Sequence, residues 1–527
     1  MFSIRSILQV VFAAVSTSTG GSPRIQWGLC NTTEVNSTAP IVCGNLAVPL
    51  DYTEPSSNST LTLQLLKVPA ILQPSKGSIL FNFGGPGAPG RESLGLLGPA
   101  LLAFTGGYHD LIAFDPRGTG NTIPFSCTDN EDDTANLLYD IILGNSSDVA
   151  LGRLWARGAI NAGLCFQKSN ATGNLIGTAF GARDLISVVD ALDEDGMLRY
   201  WGFSYGTTLG ATVASMFPER IDKMILDGVQ NPRQYYHSPA DFEEWSSSDK
   251  EFSGIFSSCV ASPDSCPLAR GNATAAELEQ AVWNLLDTVK YHPIPLGRIM
   301  VDYDLLKAVI VQSMYSTYYW PLLTKFLHML LTSDTKDALA VLIELVGDTT
   351  TPEESKQLFM SVMGIHCADR TVRVSNFDDF LPVVDQLYNT SKIFGDVTPA
   401  ISMICAQWKM KAKEVYMGNF QANTKKPVLF IGNTGDGFTP LASAYNVSSG
   451  FKDSVVLEVD GYGHSSLAVT STCIYNHVTE YWSTGTLPTP GTVCHPNAPP
   501  FSSTPTLVKR DAFDDISGAL RKEFRHI

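Results

Sequence analysis

The stretch Arg199-Tyr200-Trp201-Gly202-Phe203-Ser204-Tyr205-Gly206 constrains the fold more than any other part of this chain. It reads G-x-S-x-G. Residues 197–201 before it have the composition of a short buried strand. Residues 207–216 after it, rich in Ala and Leu, read as a helix. A strand, a sharp turn and a helix in that order place the serine in a strained conformation at the carboxyl edge of a sheet. Gly202 and Gly206 carry no Cβ, so the two arms of the turn can come close together. The helix directs its first amides toward Ser204 and favours negative charge developing there.

Further strands are expected at 46–50, 61–68, 77–83, 111–114, 224–227, 427–431 and 455–459. A helix is expected at 179–192, from the spacing of Leu185, Val188, Val189 and Leu192. Strand alternating with helix implies an α/β class, with a mostly parallel sheet covered on both faces. From about residue 235 the pattern changes. Helical segments at 275–290, 303–315, 320–331 and 336–346 dominate, and strand signals nearly vanish until 427. The expected organisation is a leader at 1–20, a first core part at 21–234 and a helical cap at 235–424. A second core part follows at 425–495 and a tail at 496–527. The cap should select substrate without being needed to build the site.

Asp436, in G-N-T-G-D-G-F-T-P (432–440), and His464, in G-Y-G-H-S-S-L (461–467), both follow strand ends on the edge that carries Ser204. A serine hydroxyl needs a base within hydrogen-bond reach. His464 can take that proton and return it to the leaving group, and Asp436 can hold the imidazole in the right tautomer. Asp115 and Arg117, in D-P-R-G-T-G, are expected to fix the loop over the nucleophile.

Together with G-G-P-G at 84–87, G-F-S-Y-G-T at 202–207 and L-D-G-V at 226–229, these motifs resemble the tripeptidyl aminopeptidase-like branch of the α/β-hydrolases. That branch is similar to the prolyl aminopeptidases. The resemblance runs from about Cys43 to Cys494, and the segment from Cys473 to Cys494 resembles the family's C-terminal piece. It implies an α/β-hydrolase fold with a helical cap and the order Ser204, Asp436, His464. It also implies an oxyanion hole from the amides of Gly85 and Tyr205. The implied activity is a secreted serine exopeptidase acting on free N-termini. Phe83, and the pair Gly437-Phe438, depart from the family's pattern beside the pocket. In prolyl aminopeptidases cap glutamates bind the substrate ammonium. Asp241, Glu243, Glu244 and Asp249 are candidates here by position.

The net charge of −16 and the absence of a basic stripe argue against nucleic acid and anionic membrane as partners. Arg5, the apolar run 7–15 and the small residues after it have the form of a secretory signal too short to span a bilayer. No other segment is long and apolar enough to span. The chain has 10 cysteines, an even count that in a secreted chain suggests disulfides rather than metal. Their gaps suggest Cys30–Cys43, Cys127–Cys165, Cys259–Cys266, Cys367–Cys405 and Cys473–Cys494. Sequons at Asn31, Asn36, Asn58, Asn145, Asn170, Asn272, Asn389 and Asn446 fit the same compartment. No cofactor or metal is implied. The expected partner is a peptide or a small acyl substrate. Two other readings are open: an esterase, lactonase or other acyl hydrolase, such as one serving a secondary-metabolite pathway, and a binding protein that has lost catalysis.

Overall fold

The computed structural model describes residues 24–31, 35, 37–129, 142–269, 271–346 and 352–502. The expected leader, the Asn36 sequon and residues 503–527 of the expected tail lie outside the described residues.

The strands are β1 (Gln26–Gly28), β2 (Val42–Pro49), β3 (Thr60–Val68), β4 (Ser78–Asn82), β5 (Asp110–Phe114), β6 (Leu198–Phe203) and β7 (Ile221–Asp227). A hairpin follows, β8 (Ile294–Leu296) with β9 (Ile299–Val301), and then β10 (Leu429–Gly435), β11 (Val455–Tyr462) and β12 (Val493–Cys494). All but the hairpin join one 10-stranded sheet in the order β1-β2-β3-β5-β4-β6-β7-β10-β11-β12. From β5 to β12 every pairing is parallel; β1, β2 and β3 form an antiparallel edge.

The central strands are buried on both faces, so they read as apolar runs rather than as alternations. Neighbouring residues nonetheless go to opposite sides. Leu80, Tyr200, Leu226 and Phe430 pack into one core with helices Thr178–Ala191 and Tyr205–Met216. Phe81, Trp201, Ile225 and Ile431 pack into another with helices Gly90–Phe104 and Thr472–Thr484. Phe83 belongs to the second core, stacked on both Phe81 and Phe203.

The long span between β7 and β10 leaves and rejoins the sheet at neighbouring strands. It is not one detached body. Helices Ser248–Ala261, Ala275–Tyr291, Tyr303–Ser313 and Trp320–Leu331 share their own core around Phe256, Val282, Leu306, Trp320 and Phe326. Helices Pro352–Asp369 and Pro399–Ala406 instead send Met363, Ile365, Ile404 and Cys405 into the first sheet core. The cysteines pair sequentially, and Cys367–Cys405 ties those two helices together.

Candidate active site

Strand β6 delivers Ser204 into a tight turn. The serine backbone has φ 54° and ψ −125°, a strained region that a residue bearing a Cβ occupies only when its surroundings hold it there. Those surroundings are close. A Cβ added to Gly202 would lie 2.3 Å from the Gly206 carbonyl oxygen, and one added to Gly206 would lie 2.6 Å from that of Asn82. The Ser204 amide donates to the Asp227 carbonyl at 3.0 Å. Helix Tyr205–Met216 starts directly after the serine, so the Tyr205 amide is among the first-turn donors that have no partner within the helix. The glycine-rich loop after β4 lies against this turn. A Cβ on Gly84 would be 2.8 Å from Ser204 Cβ and 3.4 Å from Oγ. Gly84 and Gly85 have φ 98° and 101°, which only glycine adopts freely.

Asp436 follows β10 and is fully buried. Its Oδ1 accepts from the amides of Phe438 (2.9 Å) and Thr439 (2.8 Å); its Oδ2 accepts from the Ser465 amide (2.8 Å) and the Thr439 hydroxyl (2.9 Å). His464 Nδ1 lies 3.2 Å from each carboxylate oxygen. Burial alone would raise the Asp436 pKa. The imidazole and the surrounding amides outweigh burial and hold it below its ordinary value. Asp436 is therefore an ionised anchor for the ring. Asn433 steadies the histidine from behind: its amide nitrogen donates to the carbonyls of Gly463 (2.8 Å) and Ser465 (2.6 Å), on either side of His464. The insertion holds the front. The His464 amide donates to the Tyr315 carbonyl at 2.9 Å, and the Tyr315 ring meets the imidazole edge-on at 5.4 Å. Phe438 sits 3.9 Å from the Tyr315 ring, so its departure from the family pattern is filled by an aromatic contact. The helical span is therefore in contact with the site, through a backbone bond to His464.

The four acidic candidates separate. Asp249 accepts from Ser391 Oγ and the amides of Lys392 and Ile393, so it staples one turn of the insertion. Glu243 accepts from Asn231, Ser443 and Asn446. Asp241 pairs with Arg370 and His366; burial raises its pKa, and those two groups more than reverse the effect. Glu243 and Asp249 have both oxygens filled by the protein itself; Asp241 is paired with Arg370 through Oδ2, while its Oδ1 is buried without a hydrogen-bond partner among the described residues. Glu244 differs. Its Oε1 accepts from Gln230 at 3.0 Å, and Oε2 has no hydrogen-bond partner among the described residues. Burial and the Asp241 charge push its pKa well up, and the Asp436 charge adds to the rise. Burial raises the Tyr315 hydroxyl pKa, and the Glu244 and Asp436 charges add to the rise.

Asp115 and Arg117 do not pair with each other. Asp115 accepts from the Arg91 amide at 3.1 Å, and Arg117 pairs with Asp184 at 2.6 Å while donating to the carbonyls of Pro49 and Leu50. Arg117 thus ties the end of β2 to helix Thr178–Ala191.

Sequence reading missed another buried carboxyl close to the serine turn, Asp369. It accepts from the Thr178 amide (3.0 Å) and hydroxyl (2.5 Å) and from Tyr235 OH (3.0 Å). Thr178 Oγ1 is in turn 2.6 Å from Tyr205 OH, so the insertion reaches the residue beside the serine. No sequence motif marks Asp369. One group of metal-ligand side chains converges among the described residues, Cys473, His477 and Cys494, but both sulfurs are bound in a disulfide.

Residues 78–258 match the family profile described as the α/β-hydrolase fold, and residues 391–494 match the one described as TAP-like protein. This chain is an α/β-hydrolase of the TAP-like branch. It is a serine hydrolase. It is 25% identical over 498 residues to a tripeptidyl aminopeptidase of Streptomyces lividans, covering 93% of this chain and 90% of that protein. It is 26% identical to the serine protease Hip1 of Mycobacterium bovis, covering 90% and 91%. A carboxylesterase B of Mycobacterium tuberculosis is 27% identical over 499 residues, covering 90% of this hydrolase and 91% of that protein.

Proposed function

We propose that this hydrolase is a serine exopeptidase that releases residues or short peptides from free N-termini. Ser204 Oγ attacks the scissile carbonyl carbon while His464 takes its proton. Asp436 stabilises the resulting imidazolium. The Gly85 and Tyr205 amides receive the oxyanion, each worth about 3–4 kcal/mol in the transition state. The C–N bond then breaks, His464 protonates the leaving amine, and water releases the acyl group by the same steps in reverse.

The observation that carries the reading is the Glu244 carboxyl, which among the described residues keeps one oxygen without a hydrogen-bond partner and forms no ion pair, whereas Glu243 and Asp249 are filled by hydrogen bonds and Asp241 is paired with Arg370. Its raised pKa suits the role. In the empty site burial and Asp241 hold it toward the neutral form; an arriving ammonium supplies the charge that lets it ionise. A blocked N-terminus would leave that carboxyl desolvated and unpaired, which is costly. Secretion as a glycoprotein is part of the proposal. The five disulfides support it, as does the exposure of Asn31, Asn58, Asn145, Asn170, Asn272, Asn389 and Asn446.

The name of the carboxylesterase B relative favours the rival reading, an acyl-ester hydrolase. Assaying wild type and Glu244→Gln with free and N-blocked tripeptide arylamides, beside a small aryl ester, separates the two. The exopeptidase reading expects free peptides to be cleaved and blocked ones refused. Glu244→Gln should lower kcat/KM for free peptides by about 100-fold, the loss of one charged contact, and spare the ester. Ester cleavage with no peptide cleavage would replace this reading with the rival.

A further inference from the structure

A glutamate is almost never fully buried unless something offsets the cost of removing it from water. Glu251 is 0% exposed, on helix Ser248–Ala261 of the insertion. Its Oε2 accepts from the Gly437 amide at 2.8 Å, while Oε1 is buried with no partner. Gly437 directly follows Asp436. The same helix also holds the other side of this residue, because Ser248 Oγ donates to the Gly437 carbonyl at 2.5 Å.

The fit leaves no slack. A Cβ on Gly437 would lie 2.5 Å from Glu251 Oε2, and one on Gly254, in the next turn of the helix, would lie 2.3 Å from the Tyr462 ring. Two glycines therefore let the helix press on the ends of β10 and β11, the strands that launch Asp436 and His464. Burial and the Asp436 charge push the Glu251 pKa far up, against the opposing pull of the Gly437 and Gly463 amides. That rise favours the protonated acid, the form that adds no second negative charge beside Asp436.

We infer that Glu251 is a positioning residue for the Asp436–His464 pair, holding the loop after Asp436 from the helical insertion. This rests on the catalytic reading proposed above. The bland alternative is a buried staple that contributes stability alone.

The test uses the full chain with Glu251→Gln, Glu251→Ala and Ser248→Ala. Each is compared with wild type for kcat and KM on the free peptide arylamide and the aryl ester, for the rate of fluorophosphonate labelling at Ser204, and for thermal midpoint. A shift of about 1 Å in a catalytic group costs about 100-fold. Glu251→Ala should lower kcat on both substrates by about 10- to 100-fold, leave KM within about twofold, and slow labelling by the same factor. Glu251→Gln keeps a neutral acceptor for Gly437 and should stay within about threefold of wild type. Ser248→Ala, which removes only the carbonyl's partner, should lose kcat several-fold and keeps the test alive if Glu251→Ala does not fold. A lowered midpoint with unchanged kcat in these variants would leave Glu251 a staple and overturn the inference. So would equal impairment of Glu251→Gln and Glu251→Ala. If the fluorophosphonate labels wild type at a residue other than Ser204, the catalytic reading falls and this inference with it. If it labels Ser204 and Glu251→Ala is unimpaired, only this inference falls.

Discussion

Replacing Asp369 with asparagine should stabilise the protein, and increasingly so as the pH rises. Asp369 is fully buried, and burial lifts its pKa from 3.8 to about 7, against the pull of the Thr178 and Tyr235 bonds. In the unfolded chain it loses its proton near pH 4. Between about pH 4 and pH 7 the folded state therefore holds a proton that the unfolded state has released, and stability falls as pH rises. Each pH unit across that interval is worth about 1.4 kcal/mol, so the loss reaches about 4 kcal/mol and then levels off above pH 7. Asparagine carries no charge at any of these pH values. Its oxygen can accept from the Thr178 amide. Its NH2 can donate to the Thr178 hydroxyl, because the bond between Thr178 Oγ1 and Tyr205 OH can run in either direction. Urea unfolding of wild type and Asp369→Asn, followed by tryptophan fluorescence from about pH 4.5 to pH 8, measures the difference. It should grow by about 3 kcal/mol between those two pH values, because about 1 kcal/mol of the effect already lies below pH 4.5. Asp227, whose pKa burial raises to about 6, drives the same trend, but it is present in both proteins and cancels. A difference that does not change with pH would refute the reasoning, whatever its size.

Asn433→Ala removes the side-chain donors from both carbonyls flanking His464; the Ser465 carbonyl keeps the Ala468 amide at 3.3 Å, and the Gly463 carbonyl is left without a partner among the described residues. The substitution should cost about 1–3 kcal/mol of stability, and the slack in the imidazole should lower kcat more than it changes KM; unchanged kcat at full fold would show that β11 alone sets the ring. Ser204→Ala and His464→Ala should each abolish most turnover, and the double variant should be little worse than either, because groups that act as a unit do not add. A double variant slower by the product of the two losses would mean the residues act separately.

The sequence was most legible where chemistry is local. The Ser204 turn needs glycines two residues to either side, and the Asp436 and His464 loops carry theirs within the same short motifs, so spacing alone exposed them. Asn433 and Thr439 sit inside the same motif as Asp436, but their roles appear only when the loops meet in space. Glu251, Tyr315 and Asp369 gave no signal. Each acts on the site across a long stretch of chain, from a helix or turn whose local sequence is ordinary. The four acidic candidates could not be told apart for the same reason in reverse, since closeness in sequence did not decide which carboxylates the fold would occupy. Among the helices, Gly90–Phe104 was hidden by Gly95, Gly98 and Pro99, residues that weaken a helical pattern. The structure accounts for Gly98, where a Cβ would come within 2.8 Å of Val68. Pro382 hid helix Phe377–Thr390 in the same way.

The adjacency of β7 and β10 bears on the order in which a ribosome presents the parts. A nascent chain that has emerged through residue 424 already contains the proposed nucleophile, yet its base and its anchoring carboxylate are still unmade. The parallel pairing that brings them beside Ser204 closes a loop over the entire helical insertion, a slow kind of contact to form. The insertion must also be in place to hold the Tyr315 carbonyl against His464. On the proposed triad, a chain that has not yet reached β11 and the loop after it carries a serine without its base.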